Sequence, residues 1–417
     1  MSSRTMTRRL GLGDAVFIGI GSMVGAGVFS AFAPAAQAAG AGLLIGLGLA
    51  AIVAFGNATS SAQLAAAHPT SGGTYAYGRA EIGPWSGFLA GWGFVVGKLA
   101  SAAAMALTFA AYAAPPGWER PVAALAVVAL ASVNWFGVTR TALATRVIVT
   151  VVLLTLAVAT AAATASPAAA DQLTVDGLLS GGAYGILQSA GLLFFAFAGY
   201  ARIATLGEEV RNPTHTIPRA ITIAFAVALA VYAVIGVVVL TSLGPAGLAA
   251  SSAPVADAAA GSGWAWAVPI VRVGAAAASL GALLALIAGI GRTMLAMARE
   301  GDLPRPLAAL HPRWDVPYRA EVVVAVVVVA AVLLVDLRGA IGFSSFGVLV
   351  YYLVANIAAF RQRDSARRYP RALQAVGAIG CVVLAVTLPW QAVVGGLVVF
   401  AVGVGYRLVR LRLTRGA

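Results

Sequence analysis

Gly19-Ile20-Gly21-Ser22-Met23-Val24-Gly25-Ala26-Gly27-Val28-Phe29 sets four glycines within nine residues, inside an apolar stretch running from about residue 14 to 39. Such a stretch exceeds the roughly 20 apolar residues that a helix needs to cross a bilayer. Each glycine costs close to 1 kcal/mol of helix propensity relative to alanine, so the middle of this span is built to be weak. One reading is helix packing, since Gly21 and Gly25 form a small-xxx-small face of the kind that joins membrane helices. The other is that the helix unwinds at mid-depth. Irregular backbone is tolerated there only where it is buried in protein or lines a cavity. It frees N–H and C=O groups and aims the positive end of a half-helix at an anion.

A second interruption favours unwinding. Phe194-Phe195-Ala196-Phe197-Ala198-Gly199-Tyr200 lies near the middle of the sixth apolar segment, five segments after the first, with Gly199 as its one breaker. Glycine-interrupted segments in corresponding places of two halves point to a transporter binding site. Glycines inside an apolar span, rather than after a strand, are not a nucleotide loop.

The rest of the chain fits a helical membrane protein. Of 417 residues, 61% are hydrophobic and 10% charged, with a mean hydropathy of +0.93, which excludes both the soluble and the disordered class. Long unbroken apolar blocks exclude a transmembrane β-barrel. Twelve apolar segments are expected, at about 14–39, 41–66, 85–113, 121–138, 142–165, 184–206, 219–243, 265–291, 320–335, 340–360, 371–387 and 390–407. The first is too long for the apolar core of a cleaved signal peptide and no polar domain follows it. The lone Cys381 sits in an apolar run and forms no intramolecular disulfide.

The formal charge of +13 is a topological signal rather than a nucleic-acid one. With the N-terminus inside, Arg4, Arg8, Arg9, Arg79, Arg140, Arg146, Arg211 and Arg219 fall on the cytoplasmic side. So do the arginines of 292–319, of 361–371 and of 407–415. The opposite loops hold Arg120 and Arg338 beside Glu119, Asp171, Asp176, Asp257 and Asp336. Both termini are therefore expected in the cytoplasm, and the lipid bilayer, with its anionic headgroups, is the partner the charges imply.

Several segments, in order, resemble the amino acid–polyamine–organocation (APC) transporters, and the amino acid permeases among them. They are Leu12-Gly13-Asp14 with the glycine run, Pro69-Thr70-Ser71-Gly72-Gly73-Thr74-Tyr75-Ala76-Tyr77, Gly83-Pro84 with Gly91-Trp92, and Phe195–Tyr200. Glu208-Glu209-Val210-Arg211-Asn212-Pro213, Ile217-Pro218-Arg219-Ala220 and Met297-Ala298-Arg299-Glu300-Gly301-Asp302-Leu303-Pro304 complete the set, which spans most of the chain. The resemblance implies an all-α integral membrane fold of 12 transmembrane helices in one transport domain over residues 1–417. Its core is a five-plus-five inverted repeat, about 14–165 and 184–360, with helices 1 and 6 broken and two extra helices at about 371–407. It further implies that the N–H groups of Gly25, Ala26 and Gly27 hold a substrate carboxylate. The carbonyls of Met23, Phe195 and Ala198 would hold its amino group, with Ala196 and Gly199 in the same segment and Phe195 closing over the ligand.

Lysine occurs once, at Lys98, near the bilayer centre in the third segment. A charge there costs at least ~2.5–3.5 kcal/mol on insertion scales, and snorkelling from mid-span is difficult. In some relatives a lysine of the fifth segment couples transport to a proton; the matching position here is Leu153. Lys98 is therefore expected to take over the protonatable role or to contact substrate. A cation in the pocket disfavours lysine-, arginine- or polyamine-like ligands. Arg202, Glu208 and Glu209 are candidate inner-gate residues, against the plainer readings of a helix-terminal cation and a solvated acidic pair.

The expected function is a secondary active transporter of a small neutral amino acid, proton-coupled and working by alternating access in the cytoplasmic membrane. An amino acid/amine exchanger and a non-transporting sensor are the alternatives. No Ser–His, Cys–His or metal-ligand arrangement suggests an enzyme, and His68, His215 and His311 are too scattered for a metal site. No filter-like loop suggests a channel. No Gly-x-x-x-x-Gly-Lys loop suggests ATP-driven transport, and no cofactor is implied.

Overall fold

The computed structural model describes residues 9–69, 72–136, 142–165, 173–363 and 367–415. Arg4, Arg8, Thr70, Ser71, Arg140 and Asp171 lie outside them, as does the side chain of Arg415. The first helix, α1 (Leu12–Met23), begins where the Asp14 carboxylate accepts the Gly11 N–H at 3.1 Å, a negative group where the helix dipole favours one. It ends at Val24 and Gly25, whose backbones leave the helical region with ψ of 39° and −129°. The helix restarts as α2 (Ala26–Ser30) and passes through Ala31, which keeps helical dihedrals, into α3 (Phe32–Ala39). The first span is thus broken once, between its two pairs of glycines.

Next come α4 (Leu43–Ala67), the short α5 (Gly73–Glu81) and the 30-residue α6 (Pro84–Ala113). α6 opens with Pro84 after Gly83 at φ 140°, a turn that only glycine adopts freely, followed by a proline whose missing N–H costs nothing at a helix start. α7 (Glu119–Trp135), α8 (Ala142–Thr164), α9 (Val175–Leu179), α10 (Gly182–Phe197) and α11 (Ala201–Ala204) follow. α12 (Pro213–Ala250) is interrupted at Gly244, with φ 68° and ψ 167°. Beyond it come α13 (Pro254–Ala260), α14 (Ala267–Arg299), α15 (Tyr318–Leu334), α16 (Leu337–Arg361), α17 (Arg371–Thr387) and α18 (Trp390–Arg415). The described residues contain no strand, only a single parallel bridge between Leu10 and Val210.

Nine stretches of the described residues are long and apolar enough to cross a membrane, both interrupted spans among them. The segments expected at 121–138, 320–335 and 371–387 form α7, α15 and α17, of 17 residues each. They are shorter than the nine, and charged residues stand in the first turns of α7 and α15 (Glu119 and Arg120, Arg319 and Glu321).

α6 runs against α14 and α16. Its meeting with α16 is backbone on backbone, since a Cβ on Gly347 would lie 2.8 Å from Gly97 Cα and 2.9 Å from the Gly93 carbonyl. Small residues allow this approach between membrane helices, and it fixes the position of Lys98, the residue after Gly97. Several arginines of the charge-sorted sets find polar partners on other helices. Arg146 pairs with Asp14 at 2.7 Å, and Asp302 pairs with Arg79 at 2.9 Å and with Arg407. From the other set, Arg338 donates to Gln37 and Gln188, both at 3.1 Å.

Candidate functional site

The sixth span is not unwound as the first is. α10 tightens into a 3-10 turn over Ala198–Tyr200 and resumes as α11. One glycine among helix-forming neighbours tightens the turn without opening it, so the expected second break is a constriction. What Gly199 supplies is room. A Cβ there would lie 2.1 Å from the Ser22 carbonyl oxygen and 2.6 Å from Met23 N. Gly27 does the same from the other side, its Cβ position lying 2.7 Å from Ala196 Cα.

The two interrupted segments therefore cross backbone on backbone and bring Met23, Gly27, Ala196, Ala198 and Gly199 together. Gly25 is turned toward α14, its Cβ position 3.1 Å from that of Ala282. Ala26 and Gly27 begin α2, and the first N–H groups of a helix have no acceptor in their own ladder. Phe195 is buried, and its carbonyl accepts the Ala198 N–H.

Side chains from three other helices converge on the carbonyls of the crossing. Tyr232 of α12 places its hydroxyl 2.7 Å from the Met23 oxygen and 2.9 Å from the Ala196 oxygen, one proton shared between two acceptors. Tyr352 of α16 donates to the Ala198 oxygen at 3.2 Å. Lys98 of α6 donates to that same oxygen at 3.3 Å. Lys98 is only 7% exposed, and none of the ion pairs among the described residues involves it. The sequence reading singled out the lysine but neither tyrosine. The available signal was a hydroxyl inside an apolar span, which needs a partner when buried.

The remaining candidates lie elsewhere. Arg202 donates to Thr205 Oγ1 at 3.1 Å, within its own turn. Glu209 offers its carbonyl to the Leu10 N–H, and Glu208 precedes it in the loop after α11. Arg79 pairs with Asp302 at 2.9 Å and Glu300 at 3.3 Å. Leu153 belongs to the apolar packing of α8. Arg272 donates to the Tyr112 carbonyl at 3.3 Å.

Two assemblies flank the crossing. On the side of α13, the buried Tyr112 hydroxyl donates to the Phe29 carbonyl at 2.9 Å and accepts the Val255 N–H at 3.3 Å, tying α6, α2 and α13. On the opposite side, Asp302 accepts from Tyr75 at 2.8 Å and from Arg79, and pairs with Arg407. Arg407 also lies over the Phe88 and Trp85 rings, at 4.6 and 4.8 Å. Burial, and then the bond to Asp302, holds the Tyr75 phenol well above its ordinary pKa, so it stays a donor. The described residues contain no group of three His, Cys, Asp or Glu side chains able to hold a metal.

The family model for amino acid permeases matches residues 14–408. An uncharacterized transporter of Mycobacterium bovis is 56% identical over 412 residues, 99% of this chain and 93% of its own length. The branched-chain amino acid permease BcaP of Bacillus subtilis is 25% identical over 431 residues, 96% of this chain and 92% of its own. A chloroplastic cationic amino acid transporter of Arabidopsis thaliana is 28% identical over 391 residues, 87% and 67% of the two chains.

Proposed function

This chain belongs to the amino acid permease family of the APC superfamily, and from that premise we propose that it carries a small neutral amino acid across the cytoplasmic membrane. It is a proton-coupled secondary transporter working by alternating access. It has twelve spans, two five-helix inverted repeats over about 14–165 and 184–360, and both termini in the cytoplasm. The observation that carries this reading is the crossing of the two interrupted spans at Gly27 on Ala196 and Gly199 on Ser22. Two backbones in contact at mid-span, one opened by a break, expose main-chain groups that recognise an amino-acid head group whatever its side chain. The carboxylate goes to the N–H groups of Gly25, Ala26 and Gly27, and Phe195 closes over it.

Lys98 chooses among the relatives' named substrates. A buried cation beside the ligand repels a second one, so a neutral side chain of the branched-chain kind is favoured over a cationic one. Lys98 is also an intramembrane group able to exchange a proton, which an arginine in its place would not do.

A thermal-shift screen of the purified protein against the twenty amino acids tests the reading. Ligand at 100 times its Kd stabilises by about 2.7 kcal/mol. A shift confined to neutral amino acids, lost in Gly27→Val, is the expected result; no shift with any of them sinks the substrate assignment.

A further inference from the structure

Every carbonyl proposed to receive a ligand's amino group already has a donor from the chain itself. Met23 holds the Tyr232 hydroxyl, Phe195 holds the Ala198 N–H, and Ala198 holds both Tyr352 and Lys98. The Lys98 donor is unlike the others. It is a primary ammonium, chemically the same group as the α-ammonium of an amino acid, carried on a four-carbon stem that can withdraw. Two cations cannot share one carbonyl oxygen inside a membrane, because their repulsion is unscreened there.

We infer that Lys98 is a tethered stand-in for the ligand's amino group, occupying the Ala198 oxygen in the empty protein and leaving it when an amino acid binds. The inference rests on the crossing being the ligand site. It makes Lys98 a specificity-determining residue of a particular kind. In the wild-type protein the acceptor at Ala198 is partly satisfied already, so a ligand gains little from having an amine. Without Lys98 the Ala198 oxygen keeps only the neutral Tyr352 donor, its place for a cation waits for the ligand, and the amine becomes decisive. The cation at the Ala198 oxygen is retained, since one ammonium replaces another.

The test compares ligands with and without the amine on proteins with and without the lysine. L-leucine and 4-methylpentanoate, L-alanine and propanoate are titrated into the full-length wild type and Lys98→Met. The wild type is expected to prefer each amino acid over its des-amino partner by less than tenfold. Lys98→Met is expected to bind the amino acids more tightly and to widen that preference at least tenfold. An unchanged preference, or equal loss of both ligand types as expected if Lys98 pairs with the carboxylate, overturns the inference.

A second measurement covers a variant that fails to fold. Because Lys98 is the only lysine, wild-type protein grown with 13Cε-lysine gives one lysine signal. That signal should move with saturating L-leucine and not with 4-methylpentanoate. A signal unmoved by bound L-leucine, or moved equally by both, overturns the inference. Absence of binding by all four probes to either protein overturns the ligand site itself, a distinguishable failure.

Discussion

At the scale of single residues, glycines divide by what faces them. Gly199 sits against the Ser22 carbonyl with no room for a methyl, whereas a Cβ on Gly13 would meet nothing within 4 Å. Gly199→Ala should therefore lose about 1–3 kcal/mol or more, because the obstructing atoms are backbone and cannot rotate away. Gly13→Ala, in the first turns of α1, should gain up to about 1 kcal/mol from helix propensity. Thermal unfolding of both in the same detergent checks the contrast, and equal losses would refute the backbone crossing. The glycine run was legible in the sequence because a glycine's cost to a helix is local and needs no knowledge of neighbours. Tyr232 was not, because its acceptor Met23 lies 209 residues away, and a tyrosine in an apolar span names no partner.

The same distinction governs whole elements. The break in α1–α2 follows from composition, but the milder 3-10 turn at Ala198–Tyr200 does not, since a lone glycine is compatible with either outcome. α5, the turn after α14 and the end of α18 meet at Asp302, and nothing in three separate stretches says that they do. Arg407 reads in the sequence as one of several tail cations marking the cytoplasmic side. In the structure it is 6% exposed, is paired with Asp302 and lies over the Phe88 and Trp85 rings. Removing one member of a buried pair leaves the other charge uncompensated, at about 3–5 kcal/mol. Asp302→Asn should therefore lower the melting temperature sharply. Adding Arg407→Met should make the combined loss smaller than the sum of the two single losses, by at least about 1 kcal/mol in a double-mutant cycle. Additive losses would show that Arg407 is a solvated tail cation after all.

For the molecule as a whole, charge placement carries the orientation. The arginines that their bias toward one side sorts into two sets find separate partners at the two ends of the bundle. Arg79, Asp302 and Arg407 join at one end, and Gln37, Gln188 and Arg338 at the other. The fold holds the two ends apart, while the direction of insertion rests on the charge rule. Cys381, the only cysteine, is 1% exposed, which leaves the surface free of competing thiols. Trp118→Cys reports on the loop after α6, where the native side chain is 63% exposed. Pro312→Cys reports on the exposed loop between α14 and α15. In intact cells a membrane-impermeant maleimide should label Trp118→Cys and leave Pro312→Cys and the wild type unlabelled, with Pro312→Cys reacting once the membrane is opened. The reverse pattern would place the arginine-rich ends outside. It would also carry the inner-gate candidates Arg202, Glu208 and Glu209 to the outer face, because they lie on the same side of the crossing as Leu10 and Val210, where the chain enters α1.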